Sequence, residues 1–137
     1  MRSANSPISD FAEVLFCRAY GWAREGNSVA GYDATDASGV RYQIKARRLA
    51  TRSGSRQLSA IRNLASNPFD QLAAVLFDRD FVVYRAALVP VSVVKTRVRQ
   101  PPRTNSDIFL LRDDIWTLEG VVDVTDDIRA AAHALSF

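Results

Sequence analysis

Alternation of apolar and polar residues is clearest between Val40 and Arg47. This is the period of a β-strand, whose successive side chains point to opposite faces. One predicted face is apolar and carries Val40, Tyr42 and Ile44, and the other is polar and carries Arg41, Gln43, Lys45 and Arg47. A second short strand is predicted at Tyr32–Thr35, and residues 37–39, Ala-Ser-Gly, supply a turn. The pattern therefore predicts a β-hairpin.

Helical periodicity precedes the hairpin. Apolar residues at helical spacing predict a helix from Phe11 to Tyr20, with Asp10 as its N-cap and Glu13 in the capping-box position. Gly21 is expected to end it, and a short strand is predicted at residues 28–30.

After the hairpin, we predict a short helix over Leu58–Leu64 and two buried strands, Gln71–Phe77 and Phe81–Val89. The remaining predictions are a helix after Pro90, a strand at Ile108–Arg112 and a C-terminal helix to Leu135 that is capped by Thr125. This order of elements indicates an α/β (α+β) fold, a mixed sheet flanked by helices. At 137 residues the chain is expected to form a single domain.

Composition narrows the class of protein. No apolar run approaches the roughly 20 residues needed to cross a bilayer, and the first ten residues lack the features of a signal peptide. A single cysteine excludes an internal disulfide and suits a reducing compartment. We therefore expect a cytoplasmic protein without a membrane partner.

Charge is segregated along the chain. Residues 37–69 contain seven cations and no acid, whereas residues 107–127 contain seven acids and one arginine. A positive face of this kind suits a polyanion, because neutralised phosphates release counterions. A merely solvated surface is the alternative interpretation. The candidate DNA-contacting residues are Arg47, Arg48, Arg52, Ser53, Ser55, Arg56 and Gln57.

The hairpin also carries candidate chemistry. Folding the second strand back brings Asp33 towards Gln43, and Gln43 and Lys45 share a face about 6.6 Å apart along the strand. Asp33, the Gln43 side-chain oxygen and the Ile44 carbonyl are oxygen ligands suited to Mg²⁺. Lys45 could place an attacking water or stabilise charge on a phosphate. Alternatively, Asp33 is a carboxylate that binds turn amides, and Lys45 is an exposed strand lysine.

Residues 31–45, Gly-Tyr-Asp-Ala-Thr-Asp-Ala-Ser-Gly-Val-Arg-Tyr-Gln-Ile-Lys, resemble the core motif of the PD-(D/E)XK nucleases. The motif is most similar to that of PvuII-type restriction endonucleases, in which a hairpin Asp precedes Glu-x-Lys at this spacing. The resemblance implies a restriction-endonuclease-like fold, hydrolysis of double-stranded DNA with Mg²⁺ (or Mn²⁺), and a homodimer. Glu13 would match an acid that some members carry on the first helix.

Gln43 departs from the pattern, because the family usually has Asp or Glu there. Glutamine keeps an oxygen ligand but removes a negative charge, which should weaken metal binding. Asp36 could compensate if it turned into the site. Three functions therefore stay open: a metal-dependent DNA endonuclease, a DNA-binding module that has lost catalysis, and a protein-interaction domain.

Overall fold

The computed structural model describes residues 7–26, 31–100 and 106–135. Its helices are α1 (Pro7–Tyr20), α2 (Val91–Arg97) and α3 (Thr125–Ala134). Its strands are β1 (Ala23–Arg24), β2 (Ala34–Thr35), β3 (Arg41–Arg48), β4 (Ile61–Arg62), β5 (Gln71–Phe77), β6 (Val83–Pro90), β7 (Ser106–Asp107) and β8 (Val122–Asp123). The predicted α/β (α+β) class is confirmed.

The main sheet has six strands in the order β1-β2-β3-β5-β6-β8. All neighbours run antiparallel except β3 and β5, which are parallel from Tyr42↔Gln71 to Arg48↔Phe77. A parallel pair needs a crossover, and residues 49–70 supply it. Strands β4 and β7 form a separate antiparallel pair. The predicted hairpin is confirmed as β2 and β3, and the bounds of β5 agree with the prediction.

Two hydrophobic cores lie on opposite faces of this sheet. Strand β5 serves both, because Ala73, Val75 and Phe77 join one core while Leu72 and Leu76 join the other. Helices α1 and α3 cover the first core through the fully buried residues Ala12, Leu15, Phe16 and Ile128. The crossover, α2 and residues 109–115 cover the second core.

Helix α1 begins four residues earlier than the sequence predicts. Proline is well suited to the first position of a helix, since its missing N–H has no intrahelical acceptor there. The predicted N-cap role of Asp10 is therefore wrong, and Asp10 lies in the first turn. The capping-box role of Glu13 is also wrong, because α1 begins at Pro7 and Glu13 is buried in its second turn. Gly21, at a φ of 70°, ends the helix as predicted.

Three other predictions fail because long-range contacts replace local ones. Residues 58–64 form no helix: Ile61 pairs with Asp107 in β4 and β7, and only a 3₁₀ turn follows at Leu64–Ser66. The strand predicted at 108–112 is wrong: the segment makes only isolated bridges, at Ile108 and Leu110, and β7 ends just before it. Thr125 begins α3 but does not cap it; its hydroxyl instead accepts a hydrogen bond from Ala86 N at 2.9 Å. The strand predicted at 28–30 lies outside the described residues.

None of the helices in the described part of the chain is long and apolar enough to cross a membrane.

Candidate functional site

Asp33 is held at the point where β2 meets β3. Its N–H donates to the Tyr42 carbonyl at 2.7 Å, and its Oδ2 accepts from the Ile44 N–H at 2.7 Å. The next residue, Ala34, is fully buried in the first core, so alternation turns Asp33 towards the other face. Gln43 and Lys45 lie on that same face of β3, as their register with Leu72 and Ala74 shows.

One pocket of about 340 Å³ brings these side chains together. It contains every residue predicted for the metal and catalytic roles, together with several the sequence did not single out. Its lining is Ser9, Glu13, Gly31, Tyr32, Asp33, Gln43, Ile44, Lys45, Ser59 and Arg62. The hairpin, α1 and the crossover therefore build the site jointly.

Gln43 carries an acceptor without a partner. Its Nε2 donates to the Gly31 carbonyl at 3.2 Å, which fixes the orientation of the side-chain amide. The Oε1 atom is then buried and has no hydrogen-bond donor among the described residues. A buried acceptor left alone is costly, so this oxygen is suited to a ligand that the protein itself does not supply.

The Ile44 carbonyl is placed at the same edge of β3. In an extended strand the N–H and C=O of one residue point to the same side. The Ile44 N–H is bound to Asp33, whereas the register of β2 on β3 stops at Ala34↔Tyr42. The carbonyl oxygen therefore faces the edge on which Asp33 lies, and not β5.

Lys45 reaches into the pocket from β3. Its Nζ donates to Ser59 Oγ at 2.6 Å and to the Ala60 carbonyl at 3.1 Å. An ammonium group has three N–H bonds, so one donor remains for a substrate. Burial lowers the pKa of Lys45, an effect that the charge of Asp33 opposes and that of Arg62 adds to.

The two carboxylates of the pocket are both partly desolvated. Burial raises the pKa of Asp33, against the opposing effects of the Ile44 N–H, Lys45 and Arg24. Burial likewise raises the pKa of Glu13, and the nearby charge of Asp33 adds to the shift. Shifts of this kind are typical of functional sites, although structural pairs produce them as well.

Glu13 is close to the site but already has a cation. Its Oε1 accepts from Arg24 Nη2 at 2.8 Å. No local pattern in the sequence indicates this pair, since β1 brings Arg24 alongside α1. Asp36 does not enter the site, so the proposed compensation for Gln43 is wrong. Its carboxylate accepts from Ser38 N, Val40 N and the Tyr42 hydroxyl within the turn.

The oxygen donors that line the pocket are of mixed type and do not form a carboxylate cluster. No group of three or more His, Cys, Asp or Glu side chains within residues 7–26, 31–100 and 106–135 is arranged to hold a metal ion. Asp33, the unpartnered Gln43 Oε1 and the Ile44 carbonyl instead offer one charged and two neutral oxygens. Mg²⁺ in proteins commonly takes one or two carboxylates and keeps several waters.

Of the predicted DNA-contacting residues, Arg47 continues the face of Gln43 and Lys45, whereas Arg48 lies on the opposite face of β3. Arg47 donates to the Gln57 carbonyl at 2.7 Å, and Arg48 donates to the Arg79 carbonyl at 2.6 Å. Arg52, Ser53 and Ser55 are exposed in the loop after β3. Arg56 is different, because its mostly buried guanidinium is paired with Asp113 at 3.0 Å.

Three residues at the site are not predicted from the sequence: Ser59 and Arg62, which line the pocket, and Arg24, which pairs with Glu13. Arg62 was counted only as one cation of the basic stretch, and nothing local linked Ser59 to Lys45. Comparison with known protein families and with curated proteins found no match to this chain.

Proposed function

We propose that this chain is a metal-dependent DNA endonuclease with a PD-(D/E)XK-type site. The observation that carries the proposal is the shared pocket of Asp33, Gln43 and Lys45, in which Gln43 Oε1 is buried without a donor. The mixed sheet, in which β3 and β5 are the parallel pair, and the helices that flank it agree with the fold class that the resemblance implies.

Asp33 and Gln43 would hold Mg²⁺ or Mn²⁺, with the Ile44 carbonyl as a third oxygen. When bound, the ion would polarise the scissile phosphate and lower the pKa of a coordinated water. Lys45 keeps one N–H free to bind a phosphate oxygen or to orient the water, while Ser59 and Ala60 fix its position. Arg62, exposed at the pocket wall, adds positive charge for the DNA strand.

A second candidate function is a DNA-binding module that has lost catalysis. It is favoured because only one of the proposed ligands, Asp33, is negatively charged. The second carboxylate of the pocket, Glu13, already forms a salt bridge with Arg24. Such a module would bind DNA with strong salt dependence and cleave nothing.

A plasmid assay separates the endonuclease from the DNA-binding module and from a protein-interaction domain, neither of which cleaves DNA. Supercoiled plasmid is incubated at low salt with Mg²⁺, Mn²⁺ or EDTA, with the wild type, Lys45→Ala and Arg18→Ala as a surface control. An endonuclease relaxes the plasmid only with metal, and Lys45→Ala loses at least tenfold in rate whereas Arg18→Ala does not. Retained cleavage in Lys45→Ala would sink the proposal, because it would identify a contaminating nuclease.

The proposed enzyme is a homodimer that acts in the cytoplasm. A domain of this size covers little duplex, and two-fold symmetry lets two copies meet both strands. Gel filtration with light scattering should give twice the 15.2 kDa mass of one chain. A monomer both with and without DNA would refute the dimer, and fractionation of the source cells would test the compartment.

A further inference from the structure

A second basic pocket lies beyond the end of β3. Its volume is about 420 Å³, and its walls include Arg52, Ser53, Ser55, Arg56, Arg112 and Asp113. The only acid among these, Asp113, is already paired with Arg56 at 3.0 Å and with Arg85 at 3.1 Å. Arg52 and Arg112 therefore leave the pocket with an excess of positive charge.

Arg112 reaches this pocket through a long-range pairing. Leu58 N donates to the Phe109 carbonyl, Leu111 N donates to the Arg56 carbonyl, and Gln57 bridges Leu110. If this antiparallel register continues for two more residues, Ser55 lies opposite Arg112. The Arg112 side chain is exposed, and no hydrogen bond or ion pair of its guanidinium occurs within the described residues.

Arg52 is positioned by an aromatic ring. Its guanidinium carbon lies 4.9 Å from the centre of the Tyr84 ring, and that of Arg56 lies 5.7 Å from it. A guanidinium over a ring face is attracted through its charge and does not use its N–H donors on a hydrogen-bond acceptor there. The exposed Ser53 and Ser55 hydroxyls border the same space. Planar guanidinium groups and hydroxyls are the donors that bind phosphate oxygens.

The two pockets are joined along one face. Lys45 binds Ser59 and Arg47 binds Gln57, so the crossover runs antiparallel to β3 over its polar side. From Ser59 to Ser55 an extended chain covers about 13 Å. A DNA strand advances about 3.4 Å per nucleotide, so this spacing corresponds to about four nucleotides.

We infer that the pocket of Arg52 and Arg112 binds a backbone phosphate of the same DNA, about four nucleotides from the phosphodiester at Lys45. The inference rests on the proposed function for its ligand. It adds Arg112 to the DNA-binding surface. This residue lies more than 50 residues along the chain from Arg52 and Arg56, which are in the loop after β3. The DNA strand would then run from Lys45 past Arg47 towards the C-terminal end of β3.

The test measures DNA binding in EDTA, so that cleavage does not enter. A fluorescent 16-base-pair duplex is titrated at several salt concentrations with the wild type, Arg112→Gln, Arg52→Gln and the control Arg18→Gln. Arg18 is exposed on α1, which packs on the other face of the sheet. Losing one phosphate contact should reduce the magnitude of the slope of log K against log salt by about 0.9. Between 1 M and 0.1 M salt, the Kd of the wild type should therefore improve about eightfold more than that of the variant.

The outcomes separate the inference from the proposed function. A reduced slope in Arg112→Gln and Arg52→Gln, with the wild-type slope in Arg18→Gln, supports the inference whether or not plasmid is cleaved. Equal slopes in Arg112→Gln and Arg18→Gln overturn it and leave the endonuclease proposal standing. Thermal stabilisation by inorganic phosphate alone, without Arg112-dependent duplex binding, would assign the pocket to a free anion and overturn it too. Absence of duplex binding by the wild type overturns both.

Discussion

Replacing Asp33 with asparagine should separate the charge of this residue from its structural role. Asn keeps an oxygen that can accept the Ile44 N–H, now bound at 2.7 Å. It removes a charge that burial makes unfavourable, since the pKa of Asp33 is raised. It also removes the attraction to Lys45, whose own pKa is lowered by burial. These two effects oppose each other, so Asp33→Asn should change the free energy of unfolding by less than about 1 kcal/mol.

Asp33→Ala should behave differently, because it leaves the Ile44 N–H without an acceptor. A hydrogen bond to a charged group contributes roughly 1.5–3 kcal/mol, so a loss of about 2 kcal/mol is expected. Urea denaturation at pH 7 in EDTA, followed by circular dichroism, measures both variants. Equal losses of about 2 kcal/mol in Asp33→Asn and Asp33→Ala would refute the reasoning, because the carboxylate charge would then be a structural requirement.

The sign of the pH dependence supplies a control. Because folding raises the pKa of Asp33, its contribution to stability is fully present below the unfolded pKa and is lost as pH rises through the folded pKa. Asp36 has the opposite sign: desolvation raises its pKa, but hydrogen bonds from Val40, Tyr42 and Ser38 outweigh this and lower it. Its contribution is present above the unfolded pKa and is lost as pH falls through the folded pKa. Asp36→Asn should therefore destabilise the protein at pH 7 and cost less at pH 3.

Three further substitutions test the site and the fold. Gln43→Glu restores a charged ligand and should lower the Mg²⁺ concentration for half-maximal plasmid cleavage by roughly tenfold; an unchanged requirement would remove Gln43 from the ligand set. Gly31→Ala should cost about 1–3 kcal/mol in urea denaturation, because φ is +83° and the new Cβ would lie 2.8 Å from Pro68 Cβ; wild-type stability would contradict this backbone geometry. Thr125→Val should cost about 1–2 kcal/mol by leaving Ala86 N without its acceptor, and Thr125→Ser should recover most of it; equal losses would point to packing instead.

The sequence predicted the hairpin because its signal is local. Alternation of Tyr42 and Ile44 with Gln43 and Lys45 is enough to set the faces of β3, and both apolar residues are indeed buried. Once the faces and the turn are known, the approach of Asp33 to Gln43 follows. The bounds of β5 could also be predicted from the sequence. Seven successive residues without a charge are typical of a strand that is buried on both faces.

The failures all involve partners distant in sequence. Leu58, Ile61 and Leu64 have helical spacing, yet no helix forms, because Ile61 and Arg62 pair as β4 with β7, some 45 residues away. The sequence predicts a cap at Glu13 because its true partner, Arg24, comes close only when β1 forms. In the same way, Ser59 becomes a partner of Lys45 only when the crossover lies along β3. No period in the sequence encodes these contacts.

Metal binding at Asp33 and Gln43 is the central claim, and a Mn²⁺ titration followed by electron paramagnetic resonance tests it most directly. The free-ion signal should fall until one ion is bound per chain in the wild type. Asp33→Asn should weaken binding at least tenfold, whereas Asp36→Asn, outside the pocket, should keep the wild-type affinity. Absence of saturable binding in the wild type, or equal binding in Asp33→Asn, would contradict the account.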